Sequence, residues 1–144
     1  MYFMGEARPW ETAIGLAYSD DLLHWHEPLD GPVLLPRQSN GDSKGVEPGP
    51  PPLMLAQGTQ GSILLVYCGW GEDRTYRPGW VLFSKEEPER VLARSEQPIL
   101  EPAKNWGERF GLTNHVVAES LLRHEGRWWL YYGAADKAVC LACG

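Results

Sequence analysis

Short apolar and aromatic runs, interrupted every few residues by turn signals, pattern the whole chain. Tyr2 to Glu6, Ala13 to Ser19 and Trp25 to Glu27 form a first group of strand-like segments, with turns at Arg8-Pro9 and Asp20-Asp21. Leu53 to Ala56, Ile63 to Trp70, Trp80 to Ser84 and Val91 to Arg94 form a second, separated by turns at Gln57 to Gly61, Gly71 to Pro78 and Glu86 to Glu89. His115 to Leu122, Arg127 to Gly133 and Ala138 to Cys143 form a third, with turns at His124-Glu125-Gly126 and Ala135-Asp136-Lys137. About ten short strands in three groups follow.

The strongest of these runs hardly alternate. Ile63-Leu64-Leu65-Val66-Tyr67 and Trp128-Trp129-Leu130-Tyr131-Tyr132 are apolar on both faces, which is the pattern of strands covered on both sides by stacked sheets. Antiparallel groups at a period of about 40 to 45 residues suit propeller blades, each burying its faces against its neighbours. A β-sandwich would show the same pattern. The expectation is an all-β domain spanning 1–144, with blade groups near 1–35, 45–100 and 110–144. Two stretches fall outside the strands: polar Arg37 to Ser43 reads as a mobile surface loop. Lys44 to Pro52, with four prolines, reads as a stiff extended segment, either a linker or the wall of a site.

Composition narrows the function. Seven Trp, six Tyr, sixteen Gly and twelve Pro in 144 residues favour short strands and turns over long helices. Thirteen Lys+Arg against nineteen Asp+Glu give a net charge of -6 and a pI near 5.2. That is the wrong sign for a surface that neutralises phosphates, so no nucleic-acid partner is expected. No apolar run approaches the roughly 20 residues of a membrane helix, and Met1 leads into Tyr-Phe-Met-Gly-Glu without the pattern of a signal peptide, so a cytoplasmic protein is expected. Cys68, Cys140 and Cys143 sit in apolar or aromatic stretches and read as buried thiols. Cys140-Leu-Ala-Cys143 has C-x-x-C spacing but no following helix and no second pair, so neither a redox motif nor a zinc site is expected.

Three acids, Glu47, Glu119 and Asp136, lie beside Gly, Pro or apolar residues and are the ones expected to be withdrawn from solvent. A carboxylate so placed must be hydrogen-bonded or functional. Carboxylates converging with aromatic rings are what glycoside chemistry needs: an acid for the leaving oxygen, a second carboxylate, and rings against sugar faces. Trp70 and Tyr76, at the end of the most apolar strand and in the loop after it, are candidate stacking rings, with a core role for Trp70 the equal alternative. Ser19-Asp20-Asp21-Leu22-Leu23-His24-Trp25 fits S-x-D-x-x-x-W, in which Ser and Asp satisfy backbone groups of a turn and Trp25 packs beneath. His24 and His26 then face solvent.

The ordered motifs Lys44 to Pro52, Leu65-Val66-Tyr67-Cys68-Gly69-Trp70, Tyr76-Arg77-Pro78-Gly79-Trp80-Val81-Leu82-Phe83, Arg90 to Ser95 with Pro98-Ile99-Leu100-Glu101-Pro102, and Tyr131-Tyr132-Gly133-Ala134-Ala135-Asp136 resemble glycoside hydrolase family 130. The Ser19 to Trp25 turn also looks like the blade hairpin of that family. The resemblance implies a five-bladed β-propeller acting on β-mannosides by phosphorolysis or hydrolysis, of which this chain matches the C-terminal portion. The family's general-acid aspartate would belong to the preceding blades. Glu119 and Asp136 match positions near the bound sugar and are the catalytic candidates. Glu47, Tyr67, Trp70, Tyr76 and His115 form the expected substrate-binding set. Cys68 stands where phosphorolytic members have a phosphate-binding His, which implies hydrolysis, and His115, Val117 and Ser120 replace the usual Asn, Phe and Gly around Glu119. No metal or cofactor is implied. About ten strands do not close a five-bladed ring, so exposed blade faces and edges are expected to meet in a twofold homodimer. The function implied is a glycosidase-like protein with a carbohydrate ligand. The alternative is an inactive carbohydrate-binding or structural half-propeller.

Overall fold

A computed structural model describes residues 1–38, 40–56, 61–103 and 113–144. It contains ten strands and, among the described residues, no helix: β1 (Tyr2–Arg8), β2 (Glu11–Leu16), β3 (Gly45–Pro48), β4 (Leu53–Leu55), β5 (Ser62–Trp70), β6 (Arg77–Ser84), β7 (Val91–Arg94), β8 (Val116–His124), β9 (Arg127–Ala134) and β10 (Ala138–Cys143). They form three antiparallel sheets: β1-β2, then β3-β5-β6-β7 with β4 also on β5, then β10-β9-β8. The expected turn at Gln57 to Gly61 and the start of the third group at residue 110 fall largely outside the described residues.

The two-faced apolar runs explain how the sheets stack. In β5, Ile63, Leu65 and Tyr67 face the first sheet and join Ile14, Leu34, Val46, Val81 and Phe83 in one core. The alternate residues Val66 and Cys68 face the third sheet and join Ala118 and Leu130 in another. Each fully buried large aliphatic contributes about 1.5–3 kcal/mol, so a central sheet covered on both sides holds its neighbours in place.

Several expectations are corrected. Lys44 to Pro52 is not a bare linker: Gly45–Pro48 pairs with β5 from Gly45↔Trp70 to Pro48↔Tyr67. As an edge strand it tolerates the proline at its end. Trp25 to Glu27 forms no strand, only a bridge from Tyr18 to His26. The Ser19 hydroxyl accepts the Leu22 N–H at 2.8 Å, and Asp21 Oδ1 accepts those of Leu23 and His24 at 2.9 and 2.8 Å. Trp25 is not packed beneath this turn but 41% exposed, because the surrounding segment is itself on the surface. Of the cysteines only Cys68 is buried; Cys140 is half-buried and Cys143 exposed. Three residues apart on β10, Cys140 and Cys143 point to opposite faces, and no metal-binding cluster occurs among the described residues.

Candidate functional site

The tips of several elements converge on one cleft. It is walled by the β1–β2 turn at Trp10, the β5–β6 loop at Arg74 and Tyr76, the entry to β8 at His115, and the β9–β10 turn at Asp136. Tyr76 is its best-held ring. It stacks on Trp70 with centroids 4.4 Å apart and meets the His115 ring edge-on at 4.8 Å.

Backbone pairing fixes His115. The Tyr76 N–H donates to His115 Nδ1 at 3.1 Å, and the Tyr76 carbonyl accepts the Val116 N–H at 3.0 Å. An N–H can only donate, so Nδ1 is unprotonated and the neutral ring carries its proton on Nε2, where it is a donor. Burial holds His115 below the ordinary histidine pKa against the opposing charges of Asp136 and Asp73.

Asp136 reaches the cleft through a tight hairpin in which Ala135 and Asp136 both take left-handed backbone, at φ 53° and 52°. Two successive positive φ values are those of a type I′ turn, closed here by the Lys137 N–H on the Ala134 carbonyl at 3.1 Å within the three-residue connection from Ala134 to Ala138. The Thr113 hydroxyl donates to Asp136 Oδ2. Tyr76, His115 and Asp136 are thus brought together in one cleft.

Glu47 and Glu119 lie beside this group, across the seam between the second and third sheets. Glu47 sits on β3 opposite Cys68. Glu119 occupies the bulge of β8 between Ala118 and Ser120, where the extra residue re-aims its carboxylate toward Gly133. Burial, and then the charge of Glu119, raise the Glu47 pKa above the ordinary glutamate value. Burial, then the charges of Glu47, Cys68 and Asp136, likewise raise Tyr76. Burial pushes the Cys68 thiol up to about 12, against the pull of the Ala118 N–H, which donates to its sulfur at 3.3 Å.

Four site expectations are corrected. Glu119 and Asp136 are exposed rather than withdrawn from solvent, one on a bulge and the other at a hairpin tip. Of the three acids only Glu47 is half-buried. Trp70 is 1% exposed, lying across Gly45, where even a methyl carbon would come within 2.1 Å of the indole. It is a support beneath Tyr76 and has no face for a sugar. Tyr67 projects from the other face of β5, away from the cleft.

Tyr67 instead belongs to a polar cluster that the sequence did not reveal. Its hydroxyl donates to Asp42 Oδ2 at 2.8 Å and accepts Arg94 Nε at 3.0 Å. Asp42 also accepts Arg37 at 2.9 Å and Arg94 at 2.7 Å. Arg37 to Ser43 is therefore no mobile surface loop: Asp42 is 5% exposed and pins the described part of the segment to the central sheet. Trp10 and Arg74 were also missed as lining residues, since hairpin and loop tips carry no periodic signal.

Comparison with known proteins identifies the architecture. The family profile described as beta-1,4-mannooligosaccharide phosphorylase, of glycoside hydrolase family 130, matches residues 1–144. A 1,2-beta-oligomannan phosphorylase from Thermoanaerobacter is 33% identical over 129 residues, 90% of this chain and 42% of the relative. The structure of a beta-1,2-mannobiose phosphorylase from Listeria innocua in complex with beta-1,2-mannobiose superposes with a TM-score of 0.77 at 29% identity, covering 91% of this chain and 35% of that one. A further structure, TM-score 0.76 at 27% identity over 91% of this chain and 40% of the other, comes from work describing glycoside hydrolases within the family that target beta-1,2 mannosidic linkages in Candida mannan. The likeness decides between blades and sandwich in favour of a partial propeller, and the chain spans about two fifths of the length of the relatives it matches. This all-β chain belongs to glycoside hydrolase family 130.

Proposed function

We propose that the chain binds a β-mannoside-type glycoside in the cleft of Tyr76, His115 and Asp136, and acts on it, where it acts, by hydrolysis rather than phosphorolysis. The observation that carries the reading is the meeting of a pinned aromatic ring, a neutral imidazole donor and a carboxylate beside the Glu47–Glu119 pair. Tyr76 offers a ring to a sugar face, while His115 Nε2 and the Asp136 carboxylate offer one donor and one acceptor to its hydroxyls. Two neighbouring carboxyls are the usual basis for dividing acid and base roles in glycoside chemistry. Glu47, whose pKa burial raises, is the candidate proton donor, and Glu119 is the candidate second group.

Cys68 supports the hydrolytic reading. A fully buried thiol that holds its proton offers an attacking phosphate neither a positive charge nor an accessible donor. One observation favours the alternative of an inactive carbohydrate-binding protein: Glu119 and Asp136 are both exposed, so neither lies in the water-excluded surroundings that strengthen catalytic electrostatics. Self-association through the outer sheet faces is part of the same proposal.

The test is release of mannose from β-1,2- and β-1,4-mannobiose by the chain, with and without inorganic phosphate, alongside Glu119→Gln and Asp136→Asn. Mannose release independent of phosphate and lost in Glu119→Gln is the expected outcome. Formation of mannose 1-phosphate would overturn the hydrolytic reading, and calorimetric binding without turnover would select the alternative.

A further inference from the structure

The candidate cleft has an outer part that the reading above leaves unused. Trp10 lies at the tip of the β1–β2 hairpin and is 50% exposed. The Arg74 guanidinium sits over its ring, 5.1 Å from the centroid. Both side chains line the same cleft as Tyr76, His115 and Asp136.

Neither residue is where local structure would put it. Trp10 has φ 70° and Arg74 φ 53°. Pro9 followed by a residue at positive φ is a turn arrangement that favours Gly or Asn at Trp10's position. A large side chain held in left-handed backbone is strained and persists where the surroundings impose it. They do so here, because Glu6 Oε1 accepts the Trp10 N–H at 2.8 Å and fixes the tip.

Among the described residues the Arg74 guanidinium also meets no hydrogen-bond acceptor. The neighbouring carboxylate Asp73 is taken by Arg77 at 2.8 Å, and among the described residues Arg74 forms no ion pair. Its guanidinium covers one face of the indole, and half of Trp10 remains exposed. The result is a flat apolar surface bordered by a fork of N–H donors, which is the chemistry that recognises a pyranose ring and its neighbouring hydroxyls. Tyr76 is partly buried between Trp70 and His115, whereas Trp10 is half-exposed, so Trp10 marks the solvent end of the cleft.

We propose that Trp10 and Arg74 form a second sugar subsite, which holds the residue of an oligosaccharide next to the one that Tyr76 holds and so selects disaccharides and longer chains over single sugars. The inference rests on the proposed glycoside binding in this cleft. Trp10 stacks on the outer ring, and Arg74 stiffens the indole and donates to the hydroxyls of that ring.

The test is calorimetric titration of mannose and of β-1,2-mannobiose into the unaltered chain and into Trp10→Ala, Trp10→Phe and Arg74→Ala. Trp10→Ala should weaken mannobiose binding about fivefold to tenfold while leaving mannose within about twofold. Trp10→Phe should recover most of the loss, and Arg74→Ala should lie between. Phe keeps a ring at the tip, so this variant also serves if Ala disturbs the hairpin. Mannobiose affinity unchanged in Trp10→Ala, or equal losses for both sugars, would overturn the subsite while leaving the cleft intact. Binding of neither sugar by the unaltered chain would overturn the glycoside reading itself, and the subsite with it.

Discussion

Asp42 is a charge taken almost entirely out of water and surrounded by groups that need it charged. Burial alone would raise its pKa, but hydrogen bonds from Arg37 and Tyr67 and the charges of Arg94 and Arg37 outweigh that and hold it below the usual carboxylate range. Because the folded value lies below the unfolded one, the stabilisation is fully present above the unfolded aspartate pKa. It is lost as pH falls through the folded value. Asp42→Asn should therefore destabilise the fold at neutral pH by about 3 kcal/mol, since it leaves two arginines facing each other without their shared anion. The difference from the unaltered chain should shrink as pH drops below about 4, as chemical denaturation at pH 7 and pH 3 would show. Nothing in the sequence pointed to this residue. Asp42 stands in a polar run, and Arg94, its partner, lies 52 positions further on. Tyr76 and Asp136 were legible because each lies in the connection that follows a strongly apolar strand, where side chains project into a shared opening.

The same contrast governs the strands. β5 and β9 announced themselves through apolar residues on both faces, and the structure accounts for that pattern in β5 by placing one core on each side of it. β3 was not legible as a strand, because four residues ending in proline carry no alternation. The bulge of β8 was not legible either, and it alone decides which way Glu119 points. Where β3 leaves the sheet, its chain meets the third sheet at Gly49. The Gly49 N–H donates to the Val66 carbonyl at 3.0 Å, and a β-carbon there would come within 2.9 Å of the Ala118 carbonyl oxygen and 3.0 Å of that of Val66. Both obstacles are backbone of the two sheets that flank the seam, so neither can swing aside. Gly49→Ala should cost about 1–3 kcal/mol in thermal or urea unfolding by wedging the seam. Gly41→Ala, whose added carbon meets nothing within 4 Å, is the control and should change stability little. A Gly49→Ala chain as stable as the control would show that the seam is loose, and the placement of Glu47 beside Glu119 would lose its structural basis.

A chain with about two fifths of its relatives' length carries blade faces with no blade against them. On the outer face of the third sheet, Val139 is 81% exposed, Leu141 45%, Leu122 40% and Tyr131 38%. Register puts all four on one side: Leu141 pairs with Tyr131 and Val139 lies two residues before it on β10, while Leu122 pairs with Trp129, two residues before Tyr131 on β9. On the outer face of the first sheet Phe3 lies over Gly15, with Gly5 beside Ala13. These small residues and one ring line a groove that Glu6, Glu11 and Glu27 also line, and of the two faces the third sheet's carries the exposed large apolar side chains. Contiguous apolar faces of this sort are the usual mark of an interface. Two copies meeting through them would need to bury about 800 Å² each to reach the size of a stable complex. The sequence had already supplied the mismatch between strand number and ring, but it did not show which side chains would bear it. Those depend on register, which only the paired strands reveal. Sedimentation velocity over a range of concentrations should show a reversible shift from one copy to two. Leu141→Lys, which places a charge in the middle of the aliphatic face at an already exposed position, should move that equilibrium toward the monomer without lowering the melting temperature of the single chain. One sedimenting species of single-chain mass at every concentration would mean that these faces are tolerated in water. The cleft at Tyr76 would then have to bind sugar without help from a second copy.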